Sequence, residues 1–131
     1  MDDPLDRLTQ QIIGAAIDVS RGLGPGLLES AYEACLAYEL MSRGIPFDRQ
    51  KPLPVAYNGA AIDCAYRMDF VVGDQVIVEV KAVEGLTAIH DAQMLTYLRL
   101  YDRRVGLLFN FNVKVLARDG LKRLVNGFPH R

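Results

Sequence analysis

The 131-residue chain is poor in soft metal ligands: it has two cysteines, Cys35 and Cys64, and two histidines, His90 and His130. The cysteines show no metal-ligand spacing and are too few for a disulfide framework. A zinc site is therefore disfavoured, and any metal should be a hard ion held by carboxylates. No apolar run approaches the ~18 residues of a membrane helix, so no membrane partner is expected. The amino-terminal MDDPLDRLTQ is acidic and amphipathic, unlike a signal or transit peptide. Free thiols and a cytoplasmic location are the expectation. A strong charge of either sign is missing too, since 16 acids against 15 bases leave a net charge of −1. That balance argues against a DNA-coating protein and against an acidic disordered tail, but not against a local basic patch.

Half of the residues are hydrophobic and 24% are charged, the profile of one soluble globular domain over residues 1–131. The charge is unevenly spread: residues 1–48 carry net −5, residues 49–98 net −2 and residues 99–131 net +6. The basic third holds Arg99, Arg103, Arg104, Lys114, Arg118, Lys122, Arg123 and Arg131, groups suited to phosphate contacts if they share a face.

Periodicity gives the order of elements. Leu5, Leu8, Ile12, Ala15 and Val19 recur at helical spacing, so a helix is expected from Pro4 to about Arg21, capped by Asp3. Gly22 to Gly26 breaks the chain, and a second helix should run from about Leu27 to Arg43, stopping at Gly44. Residues 47–57 read as one edge strand interrupted by Pro52 and Pro54. Asn58-Gly59 signals a hairpin, with Ala60 to Tyr66 returning from it. Met68 to Val72 and Val76 to Lys81 form two short strands, and a third helix from about Ala88 to Tyr101 follows the cap Thr87. His90 and Asp91, at its start, read as capping and surface groups. Val105 to Phe111 has the continuous apolar look of a buried strand, and a short strand or two should close the chain near Gly120. Together these give an α/β fold with a mixed sheet flanked by helices.

The hairpin from Met68 to Lys81 carries the chemistry. Side chains alternate along strands, so the connection length decides which residues share a face. A two-residue connection would put Asp69 on the valine face and move Phe70 off it. A three-residue connection, Gly73-Asp74-Gln75, pairs Val72 with Val76 and Phe70 with Val78 and places Asp69 opposite Glu79. It gathers Met68, Phe70, Val72 and the valines on one side and Asp69, Glu79 and Lys81 on the other. Burying Phe70 with the valines stabilises this register by several kcal/mol at roughly 25 cal/mol per Å². Two readings of the charged set stay open. It is a salt-bridge cluster, or it is a site where two carboxylates share one Mg²⁺ or Mn²⁺ while the lysine ammonium balances charge on a phosphate oxygen.

Asp69, nine residues, then Glu79-Val80-Lys81 resembles the active-site signature of the PD-(D/E)xK nuclease superfamily, with Met68 where a proline is usual. Gly26-x-x-Glu29-x-x-Tyr32, Gln93-x-x-x-Tyr97 and the strand ending Asn110-Phe111 follow in the order seen in its small GxxExxY proteins. The resemblance covers about Ile12 to Val125. It implies a restriction-endonuclease-like core. It makes Glu29, Asp69, Glu79 and Lys81 catalytic, with Glu29, Asp69, Glu79 and the Val80 carbonyl as metal ligands and Gln93 and Tyr97 near the substrate. The implied activity is metal-dependent hydrolysis of phosphodiester bonds, in DNA before RNA. The alternative is a nucleic-acid-binding or regulatory module that keeps the nuclease fold with little turnover. Homodimerisation would suit a small nuclease that cuts both strands.

Overall fold

A computed structural model of the chain describes residues 3–127, so His130 and Arg131 lie outside the described residues. Helix α1 (Pro4–Leu23) begins where Asp3 accepts a hydrogen bond from the Leu5 amide at 2.9 Å and proline occupies the first turn. Helix α2 (Glu29–Ser42) ends before Gly44, whose φ of 68° a side chain would strain. Five strands form the main sheet in the order β1 (Phe47–Pro52), β4 (Arg67–Val72), β5 (Val76–Lys81), β6 (Val105–Asn110), β7 (Leu121–Val125). Strands β5 and β6 are parallel and the other pairs antiparallel, so the sheet is mixed. Helix α3 (Ala88–Tyr101) supplies the crossover between the parallel strands. The short helix α4 (Leu116–Asp119) precedes β7.

The sheet separates two apolar layers. On one face Phe70, Val72, Val76, Val78, Leu107 and Phe109 pack with Ile12, Ala15 and Val19 of α1 and with Tyr32, Leu36 and Leu40 of α2. On the other, Val71, Ile77 and Leu108 pack with Met94, Tyr97 and Leu98 of α3. Both faces of β6 are therefore covered, and all six of its residues are buried. This accounts for its unbroken apolar run.

The three-residue connection is present: Val72 pairs with Val76, Val71 with Ile77 and Phe70 with Val78. Met68 departs from the expected face, because it lies in the α3-side core with Leu53 and Ile77 rather than beside Phe70. Its partner strand is the reason. Gln50 of β1 takes φ 52° between the pairs Arg49–Phe70 and Lys51–Met68, and the pairing of β4 with β5 ends at Phe70–Val78, so the regular alternation is interrupted at Asp69. The single interrupted strand expected over residues 47–57 is two strands in two sheets. Pro52 ends β1, and β2 (Val55–Tyr57) leaves to pair with β3 (Ala60–Ile62) across Asn58-Gly59, both at positive φ. The return strand stops at Ile62 and does not reach Tyr66.

The basic third is not one open face. Arg103 pairs with Asp74, Lys122 with Asp91, Arg118 with Asp119 and Arg123 with Asp6. His90 caps α3 as expected, its Nδ1 accepting from the Thr87 amide at 2.9 Å.

Gly106 lets α3 lie close to the sheet, since a Cβ there would stand 2.4 Å from the Met94 Sδ. Gly106→Ala is expected to destabilise the fold by about 1–3 kcal/mol through overpacking, measured as a shift in the urea midpoint.

Candidate active site

The strands β4 and β5 part where the acidic residues begin. Their ladder ends at Phe70–Val78, and beyond it side chains take over the backbone's hydrogen bonds. The Asp69 amide donates to Glu79 Oε2 at 2.8 Å, and the Val80 amide donates to Asp69 Oδ2 at 2.9 Å. Each carboxylate thus closes on the main chain of the other strand. Lys81 Nζ lies 3.8 Å from Glu79 Oε1. Asp69 and Glu79 thus meet through side-chain-to-backbone bonds rather than as the next rung of the expected ladder, and Lys81 joins Glu79. Val80 enters through its amide, which is committed to Asp69.

The energetics of the pair are unfavourable as it stands. Hydrogen bonds to a charged group contribute about 1.5–3 kcal/mol each, whereas removing an ion from water costs several kcal/mol per ion. Glu79 is 3% exposed and faces a second carboxylate. Burial, the negative Asp69 and, less strongly, the negative Glu29 push the Glu79 carboxyl up to about 8, against the pull of the Asp69 amide and Lys81. Burial also raises the Asp69 carboxyl, while the Val80 amide and Gln50 act the other way. A site that cannot comfortably hold two negative charges takes up either a proton or a cation.

From α3, Gln93 Nε2 donates to the Tyr97 hydroxyl at 3.1 Å. Burial and the negative Glu79 raise the Tyr97 phenol, so it stays protonated beside the carboxylates. Glu29 sits at the start of α2, exposed, and is felt by Glu79 as charge rather than as a hydrogen-bond partner. Among the described residues no three His, Cys, Asp or Glu side chains are grouped tightly enough to hold a metal ion. The carboxylates brought together are Asp69 and Glu79, oxygen groups of the kind that could hold a hard divalent ion.

The motif Gly26-x-x-Glu29-x-x-Tyr32 has a visible mechanical role. The buried Tyr32 hydroxyl donates to Gly24 O at 2.6 Å and accepts from the Leu27 amide at 3.1 Å. Its ring stacks on Phe111 with centroids 4.9 Å apart and planes 8° from parallel. Gly26, at φ 99°, donates its amide to Asn112 Oδ1. Asn110 is buried and ties β6 to the loop after β5, accepting from the Val83 amide and donating to its carbonyl, both at 3.0 Å. The loop before α2 is therefore fixed to the end of β6, and with it the start of the helix that carries Glu29.

Two polar residues of the site were not singled out by their spacing. Gln50 Nε2 lies 3.0 Å from both Asp69 Oδ1 and Glu33 Oε2, and Arg49 Nε donates to the same Glu33 oxygen at 2.9 Å. Glu33 follows Glu29 by one helical turn, a signal the sequence contains. Gln50 carries no such signal, because its link to Asp69 depends on the pairing of β1 with β4.

The raised Glu79 carboxyl sets a pH dependence. Between the ordinary glutamate value and about 8, the folded chain keeps a proton that the unfolded chain has released, so stability falls as pH rises through that window. Asp69 acts in the same direction. Without divalent ions, the melting temperature is expected to drop by several degrees from about pH 5 to about pH 8, and Glu79→Gln to flatten that drop, measured by thermal scanning.

A family model of the PD-(D/E)XK nuclease superfamily matches residues 6–124. Comparison with curated proteins and with solved structures gives no match. The matched span includes Asp69, Glu79 and Lys81 at the parting of β4 and β5 and the helices that enclose them; the chain belongs to the PD-(D/E)XK nuclease superfamily.

Proposed function

We propose that the protein is a Mg²⁺- or Mn²⁺-dependent nuclease of the GxxExxY branch, hydrolysing phosphodiester bonds in DNA before RNA. The observation that carries this reading is the pair of the buried Glu79 and the half-buried Asp69, which bind the backbone on one side and have their like charge only partly offset, by Lys81 and Gln50, on the other. Asp69 and Glu79 would hold the ion, with Glu29 adding negative charge. When bound, such an ion supplies Lewis acidity toward water and phosphate oxygen.

The remaining work falls to the chain's own groups. Lys81 places an ammonium beside Glu79, where it offsets negative charge gathering on the phosphate and orients the attacking water. Tyr97, kept protonated, presents a hydroxyl donor, and Gln93 fixes its position. Gln50, bridging Asp69 to Glu33 on α2, fixes one Asp69 oxygen so that the carboxylate cannot rotate away. The free thiols Cys35 and Cys64 suit a reducing compartment, in keeping with a cytoplasmic enzyme. A homodimer would bring two such sites to the two strands of a duplex.

A second reading, a nucleic-acid-binding module with little turnover, is favoured by the small donor set: no third carboxylate joins the pair among the described residues. Cleavage assays separate the two. Wild type is expected to cut labelled DNA, and RNA more slowly, with Mg²⁺ or Mn²⁺. Glu79→Ala and Lys81→Ala should each lose about 100-fold or more, the scale of a lost electrostatic group in the transition state. Equal cleavage by all three preparations would point to a contaminant and sink the nuclease reading. Metal-independent binding without cleavage by wild type would establish the binding module.

A further inference from the structure

A groove of about 380 Å³ opens beside the candidate site, lined by Tyr66, Ile89, Ala92, Gln93, Thr96 and Tyr97. We propose that it receives one unstacked nucleobase of the substrate strand, and hence that the protein acts on single-stranded nucleic acid or on frayed ends. This inference rests on the nuclease reading of the neighbouring carboxylates.

Four features favour that occupant. The groove shares Gln93 and Tyr97 with the candidate site, and Tyr97 packs in the same core as Ile77 of β5, the strand that carries Glu79. A strand whose phosphate lay at the carboxylates would therefore bring a neighbouring base to this wall.

The second feature is composition. Tyr66 is 44% exposed and Ile89 74% exposed, so an aromatic ring and an aliphatic side chain are open to solvent in one concave place. Tyr66 and Tyr97 meet edge to face, with centroids 6.1 Å apart, which fixes the angle of the Tyr66 ring. Base stacking on such a ring tolerates any sequence, because every base has a π-face.

Third, polar groups stand at the apolar wall. The Gln93 amide nitrogen is occupied by the Tyr97 hydroxyl, which leaves its carbonyl oxygen to accept from a base edge, with the Thr96 hydroxyl one turn along. Mostly apolar walls with a few placed polar groups are the usual make-up of a small-ring pocket.

Fourth, the chain accepts backbone strain to present Tyr66. Ala65 is at φ 62°, a left-handed conformation that disfavours any residue with a Cβ. It is held there by its amide donating to Asp63 Oδ1 at 2.8 Å, while Tyr66 O accepts from the Leu53 amide at 3.0 Å and from Arg67 Nη1 at 2.9 Å. A base inside a duplex cannot enter this groove without leaving its stack, and unstacking is easiest in single strands and at ends.

The test uses single-stranded oligodeoxynucleotides carrying 2-aminopurine at each position in turn, bound in EDTA so that no turnover occurs. Stacking on Tyr66 should quench the fluorescence at one or two positions only. Tyr66→Ala should abolish that quenching and weaken binding about 5- to 100-fold, the size of one stacked base, while Tyr66→Phe retains both. Ile89→Asp, at a solvent-exposed helix position, gives the same loss without risk to folding. Quenching that is uniform, or unchanged in both Tyr66→Ala and Ile89→Asp, overturns the proposal. Cleavage with Mg²⁺ is measured in parallel on single-stranded and blunt duplex DNA. Cleavage without localised quenching leaves the nuclease reading standing and removes the groove. Localised quenching without cleavage leaves the base-binding groove standing and removes the nuclease reading.

Discussion

Two crossed hydrogen bonds organise this molecule: the Asp69 amide to the Glu79 carboxylate and the Val80 amide to the Asp69 carboxylate. They substitute for the ladder that would otherwise continue between β4 and β5. The substitution lets Glu79 be buried and Asp69 half-buried between the two strands. It also ties their geometry to the backbone, which is the most rigid support available. The consequence is electrostatic. Two amide dipoles offset part of the burial of two like charges and leave the rest, which appears as the raised Glu79 and Asp69 carboxyls. An acidic pair shared between β4 and β5, with its charge only partly offset by Lys81 and Gln50, lowers stability.

The surrounding structure serves to keep that arrangement in place. Tyr32, Phe111 and Asn112 fix the loop before α2 against the end of β6, so the helix that carries Glu29 and Glu33 cannot drift from the strand ends. Gly106 allows Met94 to touch the sheet, which sets the distance from α3, with Gln93 and Tyr97, to the carboxylates. Gln50 joins the edge strand to both Glu33 and Asp69. The GxxExxY residues are thus two kinds of part. Tyr32 and Gly26 are fasteners, and Glu29 is an exposed carboxylate on the helix start that they hold.

Several elements were readable from local chemistry because each rests on near neighbours in the chain. Asp3 and Pro4 mark the start of α1, Gly44 follows the end of α2, and Thr87 with His90 opens α3. The hairpin register was readable too, since burial of Phe70 with Val76 and Val78 outweighs the alternative connection. Met68 escaped the same parity rule, because alternation holds only while pairing is regular and both ladders of β4 are interrupted at Asp69, opposite Gln50 at φ 52°. The prolines marked an interruption, but whether the chain rejoined the same sheet depended on what Leu53 could bury against. The basic carboxyl-terminal third likewise looked like a polyanion surface in the composition. Arg103, Lys122 and Arg123 instead pair with acids of the β4–β5 turn, α3 and α1, and Arg118 with the adjacent Asp119.

By itself the sequence determined the order of elements, the mixed α/β class and the convergence of Asp69, Glu79 and Lys81, because periodicity and strand parity are local properties that burial energy makes decisive. Only the tertiary structure decided how those charges are compensated. The crossing of carboxylates with amides, the Gln50 bridge to Glu33 and the open groove beside Tyr97 each join residues from separate elements. Their distances are set by packing across the sheet, which no spacing along the chain encodes.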